Sequence, residues 1–298
     1  MISEAAGASD RGGRPGIVVI TGSGGIGIAC ARALSSGTVV LVDVSEQQLA
    51  EASAALRESG VEVETAVCDV SNAESTVALA SHVQERGDFQ TLVHTAGVSG
   101  TLSDTETILR VNLGGTLNVL DAFEPLAAPG AAAVCLSSIG GHQDITRHFD
   151  TLLAAPDPLS RLQEAGALGV GSSLAYAIAK RAVMIQCRKR AAAWGSRGGR
   201  IVSVSPGLIA DTPMGAASLE RGPGRPYAQW SAVGRTGRSS EIADVVAFLA
   251  SPRASFVTGC DIVADGGLLA GIDYHLDVET RASWHACNYS YPIRDAPH

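Results

Sequence analysis

Tyr176 and Lys180 stand four residues apart in the stretch Ser-Ser-Leu-Ala-Tyr-Ala-Ile-Ala-Lys, residues 172–180. In a helix that spacing is about one turn, so the phenol and the ammonium share a face. A cation beside a phenol favours phenolate and draws the pKa below its usual value of about 10. Such a pair can give a proton and take it back. Ser172 or Ser173 is placed to cap the start of the helix. The same spacing also suits an ordinary amphipathic surface helix, so the weight of the reading rests on what lies upstream.

Upstream, residues 16–21 (Gly-Ile-Val-Val-Ile-Thr) form a short β-branched run, the pattern of a strand buried on both faces. Gly22, Ser23, Gly24, Gly25, Ile26 and Gly27 follow, and then a helical pattern. A G-x-G-x-x-G at a strand-to-helix junction lets backbone approach a pyrophosphate at a helix N-terminus. A second run, residues 38–43, ends in Asp43, 21 residues beyond Gly22. A Rossmann unit places there the acid that accepts hydrogen bonds from the adenosine ribose. A carboxylate at that point repels a 2′-phosphate, and no Arg or Lys sits in the glycine loop or directly after Asp43. The expected cofactor is therefore NAD rather than NADP.

The remaining runs alternate strand and helix. Residues 45–59 read as a helix and 61–68 as a strand followed by Asp69, which either meets an adenine amino group or caps the next helix. Residues 90–95 form a strand ending in His94-Thr95, with Ala96 and Gly97 next, and residues 103–128 a long helical stretch holding Asn112. That Asn is either a satisfied core amide, a water anchor or the cause of a kink. Residues 131–138 form a strand ending in Ser137-Ser138, residues 172–194 the helix of Tyr176, and residues 200–205 a strand before Pro206-Gly207. Residues 241–251 form a helix and 259–264 a seventh strand. Alternation of this kind implies right-handed crossovers and a parallel sheet. The expected fold is α/β, one Rossmann-like doubly wound parallel sheet of about seven strands, with an insertion between strand 5 and the helix of Tyr176.

The expected layout is an arm over 1–15, a dinucleotide-binding catalytic domain over 16–270 with the insertion at 139–171 and a Gly-, Pro- and Arg-rich lid at 208–237, and a tail over 271–298. The tail carries Tyr274, Trp284, Tyr289 and Tyr291 in a chain with only 4% aromatic residues, so it should pack on protein. The insertion should sit over the mouth of the site.

The chain has 298 residues, is 46% hydrophobic and carries a formal charge of −8, which argues against a nucleic-acid or anionic-membrane surface. Six scattered cysteines without a C-x-x-C pair read as reduced thiols of a cytoplasmic protein. No apolar run is long enough to span a membrane. His285 and Cys287 are too few ligands for a metal, and none is assigned.

Taken in order, the glycine loop, Asp43, Asp69, Ala96-Gly97, Asn112, Ser138, Tyr176, Lys180, Pro206-Gly207 and Asp265-Gly266-Gly267 resemble the short-chain dehydrogenase/reductase family over residues 16–268. The wording around Tyr176 and over residues 188–195 is similar to the bacterial 3α-hydroxysteroid dehydrogenase/carbonyl reductase branch, which also carries an insertion between its Ser and Tyr. The resemblance implies an NAD-dependent interconversion of a secondary alcohol and a ketone, the substrate a steroid or another bulky alicyclic compound. Tyr176 is then the acid and base, Lys180 its pKa-lowering partner and ribose ligand, Ser138 the donor to the substrate oxygen, and Asn112 the anchor of a water linked to Lys180. Besides the loop residues, Val44 beside Asp43, Val70 beside Asp69, Ala96, Gly97, Tyr176, Lys180, Pro206, Gly207, Ile209 and Thr212 would contact the cofactor. The resemblance also implies a homo-oligomer, with a dimer favoured over a tetramer because the branch's insertion blocks one interface.

Four positions depart from the family's pattern. The glycine loop is one residue short, His94-Thr95 replaces an Asn-Asn, Ala179 precedes Lys180 where Ser is common, and 38 residues separate Ser138 from Tyr176. Two other readings share part of the pattern: a non-catalytic nucleotide-sensing protein on the same fold, and a sugar-nucleotide epimerase or dehydratase.

Overall fold

The structure, a computed structural model, describes residues 16–166, 169–221 and 226–287. The arm over 1–15, part of the lid at 222–225, and Tyr289 and Tyr291 of the tail lie outside the described residues.

Seven strands make one parallel sheet in the order β3-β2-β1-β4-β5-β6-β7. They are β1 (Gly16–Thr21), β2 (Thr38–Asp43), β3 (Glu64–Val67), β4 (Asp88–His94), β5 (Ala132–Leu136), β6 (Arg200–Pro206) and β7 (Asp261–Ala264). Between the first strands run α1 (Gly25–Ala33), α2 (Glu46–Glu58) and α3 (Ala73–Arg86). After β4 come α4 (Thr105–Ile108) and α5 (Gly115–Phe123), and after β5 come α6 (Asp150–Leu153), α7 (Pro158–Glu164) and α8 (Ser172–Ser196). After β6 come α9 (Pro213–Arg221), α10 (Tyr227–Trp230) and α11 (Ser239–Ala250), and β7 leads to α12 (Leu268–His275) and α13 (Val278–His285).

Strand residues alternate between two cores, as a sheet covered on both faces requires. Ile17, Val19, Val40 and Val42 meet α3, α5 and α8 through Val83, Phe123 and Trp194. Val18, Ile20, Val39 and Leu41 meet α1, α2 and α11 through Cys30, Leu56 and Val246. Helix α8 is apolar on two sides for a physical reason. Val183 and Cys187 face the sheet, while Leu174, Ile178 and Ala182 face the insertion through Phe149, Leu153 and Leu162.

Several boundaries differ from the sequence reading. Strand β3 is shorter, because only Glu64 to Val67 pair with β2, at the sheet's edge. Strand β4 starts earlier, at Asp88, which pairs with Gly16. Strand β7 starts at Asp261, because the chain still turns at Gly259, whose φ is +66°. The stretch 103–128 is not one helix. A π-helical segment, Leu109–Gly114, separates α4 from α5 and contains Asn112. Such a segment re-aims side chains within a helix and is frequent at functional sites. Neither Ser172 nor Ser173 caps α8. Gly171 is the cap residue, and the Ser172 hydroxyl donates instead to the Gly100 carbonyl at 2.8 Å.

The insertion begins beside the site, where a Cβ on Gly140 would lie 3.8 Å from the Tyr176 ring, and from there runs along the flank of α8. Arg181 clasps Asp150 with two hydrogen bonds, at 2.8 and 2.6 Å. Further along α8, the Gln186 amide donates to the Leu153 carbonyl and the Lys189 ammonium to that of Ala155. These tethers step down the helix away from Tyr176, and Phe149, Leu153 and Leu162 are buried in a cluster with that flank. The proposed tail boundary at 270 falls inside α12. Trp284 of α13 is 6% exposed, donates to the Tyr227 hydroxyl and packs with Ile139, Leu268 and Ile272. Tyr274 does not pack, at 82% exposed, because it lies on the outer side of α12. No described helix is long and apolar enough to cross a membrane.

Candidate active site

The sheet order reverses direction between β1 and β4, and the two loops leaving those strands form a crevice at the carboxyl edge, the usual place for a ligand in an open α/β sheet. From β1 comes the glycine loop. Gly22 holds a φ of +92°, and a Cβ there would press on the Thr95 hydroxyl and the Ala96 amide. A Cβ on Gly27 would fall on the Gly22 carbonyl oxygen. Gly24, at the N-cap of α1, has open space beside it, and no side chain caps the helix. The first-turn amides of α1 therefore lack a side-chain acceptor, which suits an incoming anion. Replacing Gly27 by Ala is expected to weaken binding of a dinucleotide such as NADH by at least about tenfold, or 1.4 kcal/mol, because the added Cβ would displace the Gly22 carbonyl and with it the loop. A fluorescence titration of NADH reads this directly, provided circular dichroism shows the variant folded.

Asp43 ends β2 with its carboxylate turned to the loop. Oδ2 accepts from the Ser23 amide and hydroxyl, both at 2.8 Å, and Oδ1 accepts from the Ser45 amide at 3.1 Å. Oδ1 thus keeps acceptor capacity for a ribose hydroxyl. Val44 beside it is 63% exposed. These features fit an adenosine ribose and pyrophosphate. Asp69 neither caps α3 nor stands free: Asn72 is the cap, and Asp69 accepts from the Ser71 amide and hydroxyl. Val70 is buried against Gly115.

The second cluster gathers from β4, the π-helical segment, β5 and α8. Ser138 follows β5 in extended conformation, and its hydroxyl accepts from the Gly140 amide at 3.2 Å. The Tyr176 ring lies beside it: a Cβ on Gly140 would be 3.7 Å from Ser138 Oγ and 3.8 Å from the Tyr176 ring. A Cβ on Gly97 would lie 3.1 Å from Asn112 Oδ1 and 3.5 Å from Lys180 Nζ, so these three residues converge. The Lys180 ammonium is 5.7 Å from the centre of the Tyr176 ring and donates to the Leu136 carbonyl at 2.9 Å. Asn112 is a satisfied amide. Its Oδ1 accepts from the Val98 amide and its Nδ2 donates to the Val98 carbonyl.

The electrostatics correct one expectation. The Tyr176 pKa is raised, not lowered. An edge of the side chain reaches solvent, but protein surrounds it densely, and burial disfavours phenolate more than the nearby Ser138 hydroxyl favours it. Burial also pushes Lys180 down to about 8, with the nearby Cys135 opposing the shift.

Lid residues close the arrangement. The Thr212 hydroxyl donates to the Ile209 carbonyl at 2.8 Å and accepts from the Gly215 amide at 3.0 Å, so it caps the turn entering α9. Its methyl group faces Gly25 of the glycine loop. Met214 Sδ lies 3.9 Å from the Tyr176 hydroxyl, a neighbour that nothing in the sequence marked. Pro206 ends β6, and Gly207 abuts Asp265. A cavity of about 330 Å³ beyond this loop, lined by Ile209, Tyr227, Glu241 and Asp265, includes none of Ser138, Tyr176 or Lys180. Among the described residues, no group of three or more potential metal ligands converges.

Beneath the crevice lies His94, 1% exposed. Burial, then the charge of Lys180, pushes its pKa down to about 3. The folded value is depressed below the unfolded value of about 6.5, so the unfolded chain takes up a proton that the native state refuses. Stability from this source is complete above about pH 6.5 and falls toward pH 3. At pH 5 the loss is about 2 kcal/mol. Urea midpoints at pH 7 and 5 should show that drop, and the His94→Gln variant should show less of it.

A protein-family model described as enoyl-(acyl carrier protein) reductase matches residues 20–151 and 163–269. The chain belongs to the short-chain dehydrogenase/reductase family. A short-chain dehydrogenase/reductase from Alternaria brassicicola, bsc3, is 38% identical over 85% of this chain and 95% of its own. The 3-alpha-hydroxysteroid dehydrogenase/carbonyl reductase of Comamonas testosteroni is 31% identical over 85% of this chain and 96% of its own. A solved short-chain type dehydrogenase/reductase from Mycobacterium ulcerans superposes with a TM-score of 0.70 at 25% identity, covering 85% of this chain and 90% of its own. As a short-chain dehydrogenase/reductase the chain is an oxidoreductase, in a family that uses nicotinamide cofactors and acts on small molecules.

Proposed function

We propose that this enzyme uses NAD(H) to interconvert a secondary alcohol and a ketone, with Tyr176, Ser138, Lys180 and Asn112 as its catalytic set. The observation that carries the reading is the convergence of Ser138, Tyr176 and Lys180 at one end of the sheet, with Gly97 and Asn112 beside them. A bound nicotinamide supplies the hydride and accepts it back. Tyr176 gives its proton to the carbonyl oxygen in reduction and removes the hydroxyl proton in oxidation. The Ser138 hydroxyl steadies the charge that develops on that oxygen. Lys180 sets the phenol's acidity when its ammonium is free to turn from Leu136 toward the ribose. Asn112 anchors the water that connects Lys180 to solvent. Asp43 with Val44 receives the ribose, Gly22 to Gly27 the pyrophosphate, Asp69 and Val70 the adenine, and Gly97, Pro206, Gly207, Ile209 and Thr212 the nicotinamide side.

Similarity to the 3-alpha-hydroxysteroid dehydrogenase/carbonyl reductase of Comamonas testosteroni supports a bulky alicyclic substrate. The charge and the scattered thiols support a cytoplasmic site of action. The insertion covers the flank of α8, which supports a dimer, and light scattering should return the mass of two chains; four chains would count against it.

The test is turnover. Purified protein with NAD⁺ and a panel of cyclic secondary alcohols should generate NADH, followed by its fluorescence. Tight NADH binding with no oxidation across the panel would instead favour a nucleotide sensor.

A further inference from the structure

Four buried polar residues outside the Ser138–Tyr176 pair form one unbroken chain. Thr21 closes β1, His94 closes β4, Thr116 lies in α5, and Asn112 lies in the π-helical segment. All four are at most 2% exposed. The Thr116 hydroxyl donates to the Asn112 carbonyl at 2.7 Å. His94 Nε2 is 3.1 Å from that same hydroxyl, and His94 Nδ1 is 2.7 Å from the Thr21 hydroxyl.

The order of donors follows from proton counting. A hydroxyl carries one proton, and Thr116 has given its proton to Asn112. Its oxygen must therefore accept from His94, which requires the Nε2–H tautomer. Nδ1 is then bare and accepts from Thr21. Every group is satisfied, and none is charged. The charged side chain whose field reaches His94 is Lys180. An imidazolium here would oppose that ammonium, so a proton relay through His94 is disfavoured and a fixed neutral ring is favoured.

We propose that His94 is a positioning residue: as the Nε2–H tautomer it fixes the Thr116 hydroxyl, and through it the Asn112 main-chain carbonyl, in the segment facing Lys180. Its other nitrogen holds the end of β1, where the glycine loop departs. One ring thus ties the cofactor loop to the segment that faces Lys180. An imidazole spans the two hydroxyls with nitrogens on opposite sides, as no apolar residue of that volume could. The role in turnover rests on the reading of Asn112 and Lys180 as catalytic; the tautomer does not.

The experiment has two arms. In the free protein, ¹⁵N-histidine NMR should show His94 protonated at Nε2 only, and unchanged from pH 8 to pH 5. A protonated Nδ1, or titration within that range, overturns the proposal. In turnover of cyclohexanol with NAD⁺, Thr116→Val should lower kcat on the order of tenfold to a hundredfold, the scale set by a small misplacement. NADH Kd and KM should stay near wild type, and Thr116→Ser should restore kcat. Thr116→Val with wild-type kcat, or loss of kcat only in proportion to loss of folded protein, overturns it. Thr116→Val is nearly isosteric and serves where His94→Gln fails to fold. If wild type oxidises no alcohol, the proposed reaction fails, and the NMR arm still decides whether the neutral chain exists.

Discussion

Replacing Tyr176 by Phe should lower kcat by roughly 10²- to 10⁴-fold, the usual contribution of a positioned acid or base, while NADH binding stays intact. The phenylalanine ring keeps the packing against Ser138 and Gly140 and loses only the hydroxyl. Because that hydroxyl lies 3.9 Å from the Met214 sulfur and is no part of the core, the variant should fold as wild type does. The pH profile sharpens the test. Burial raises the Tyr176 pKa in the free protein, so the phenol is protonated at neutral pH. Reduction draws on that form and should be flat through neutral pH. It should decline above about 8, as Lys180 gives up its proton. Oxidation needs the phenolate and should rise with pH over the same range. Stopped-flow measurement of both directions checks the two limbs. A Tyr176→Phe variant with near wild-type turnover would remove Tyr176 from the chemistry.

The second large effect concerns the cofactor. NADH is expected to bind roughly 10²-fold more tightly than NADPH. A 2′-phosphate beside Asp43 would set two negative charges a few ångströms apart, worth about 3 kcal/mol near a protein surface. The carboxylate cannot easily swing away, because Ser23 and Ser45 hold both of its oxygens. Replacing Asp43 by Ser together with Val44 by Arg removes the repulsion and adds a phosphate ligand at an exposed position. That double variant should lose NADH affinity at least about tenfold and come to prefer NADPH. Fluorescence titrations of both cofactors measure the ratio. Equal affinities in the wild-type protein would contradict the role given to Asp43.

The sheet was legible in the sequence because its strands are buried on both faces. Continuous apolar runs rich in β-branched residues, such as 17–20 and 39–42, have no other economical reading. The glycine loop and Asp43 were legible because their spacing is set by one βαβ unit. What stayed hidden depends on tertiary partners. The π-helical segment holds Asn112, whose side chain pairs with Val98, 14 residues away in sequence, and nothing local announces it. The path of the insertion follows from which flank of α8 is apolar, and that flank shows only once the sheet has claimed the other. The direction of the Tyr176 shift was misread because a one-turn spacing reveals Lys180 and conceals burial. His94 stood out as a departure from a familiar pair of residues, but its partners Thr21 and Thr116 are 73 and 22 residues away in sequence.

The most direct measurement follows the hydride itself. Protein incubated with NADH carrying deuterium at both C4 positions and a panel of ketones, cyclohexanone and a 3-oxosteroid among them, should yield an alcohol with one deuterium on the carbinol carbon, read by mass spectrometry. The label should be absent from the product of the Tyr176→Phe variant over the same interval. Alcohol formed without deuterium on that carbon, or tight NADH binding with no alcohol from any ketone, would contradict hydride transfer at the Ser138–Tyr176–Lys180 site.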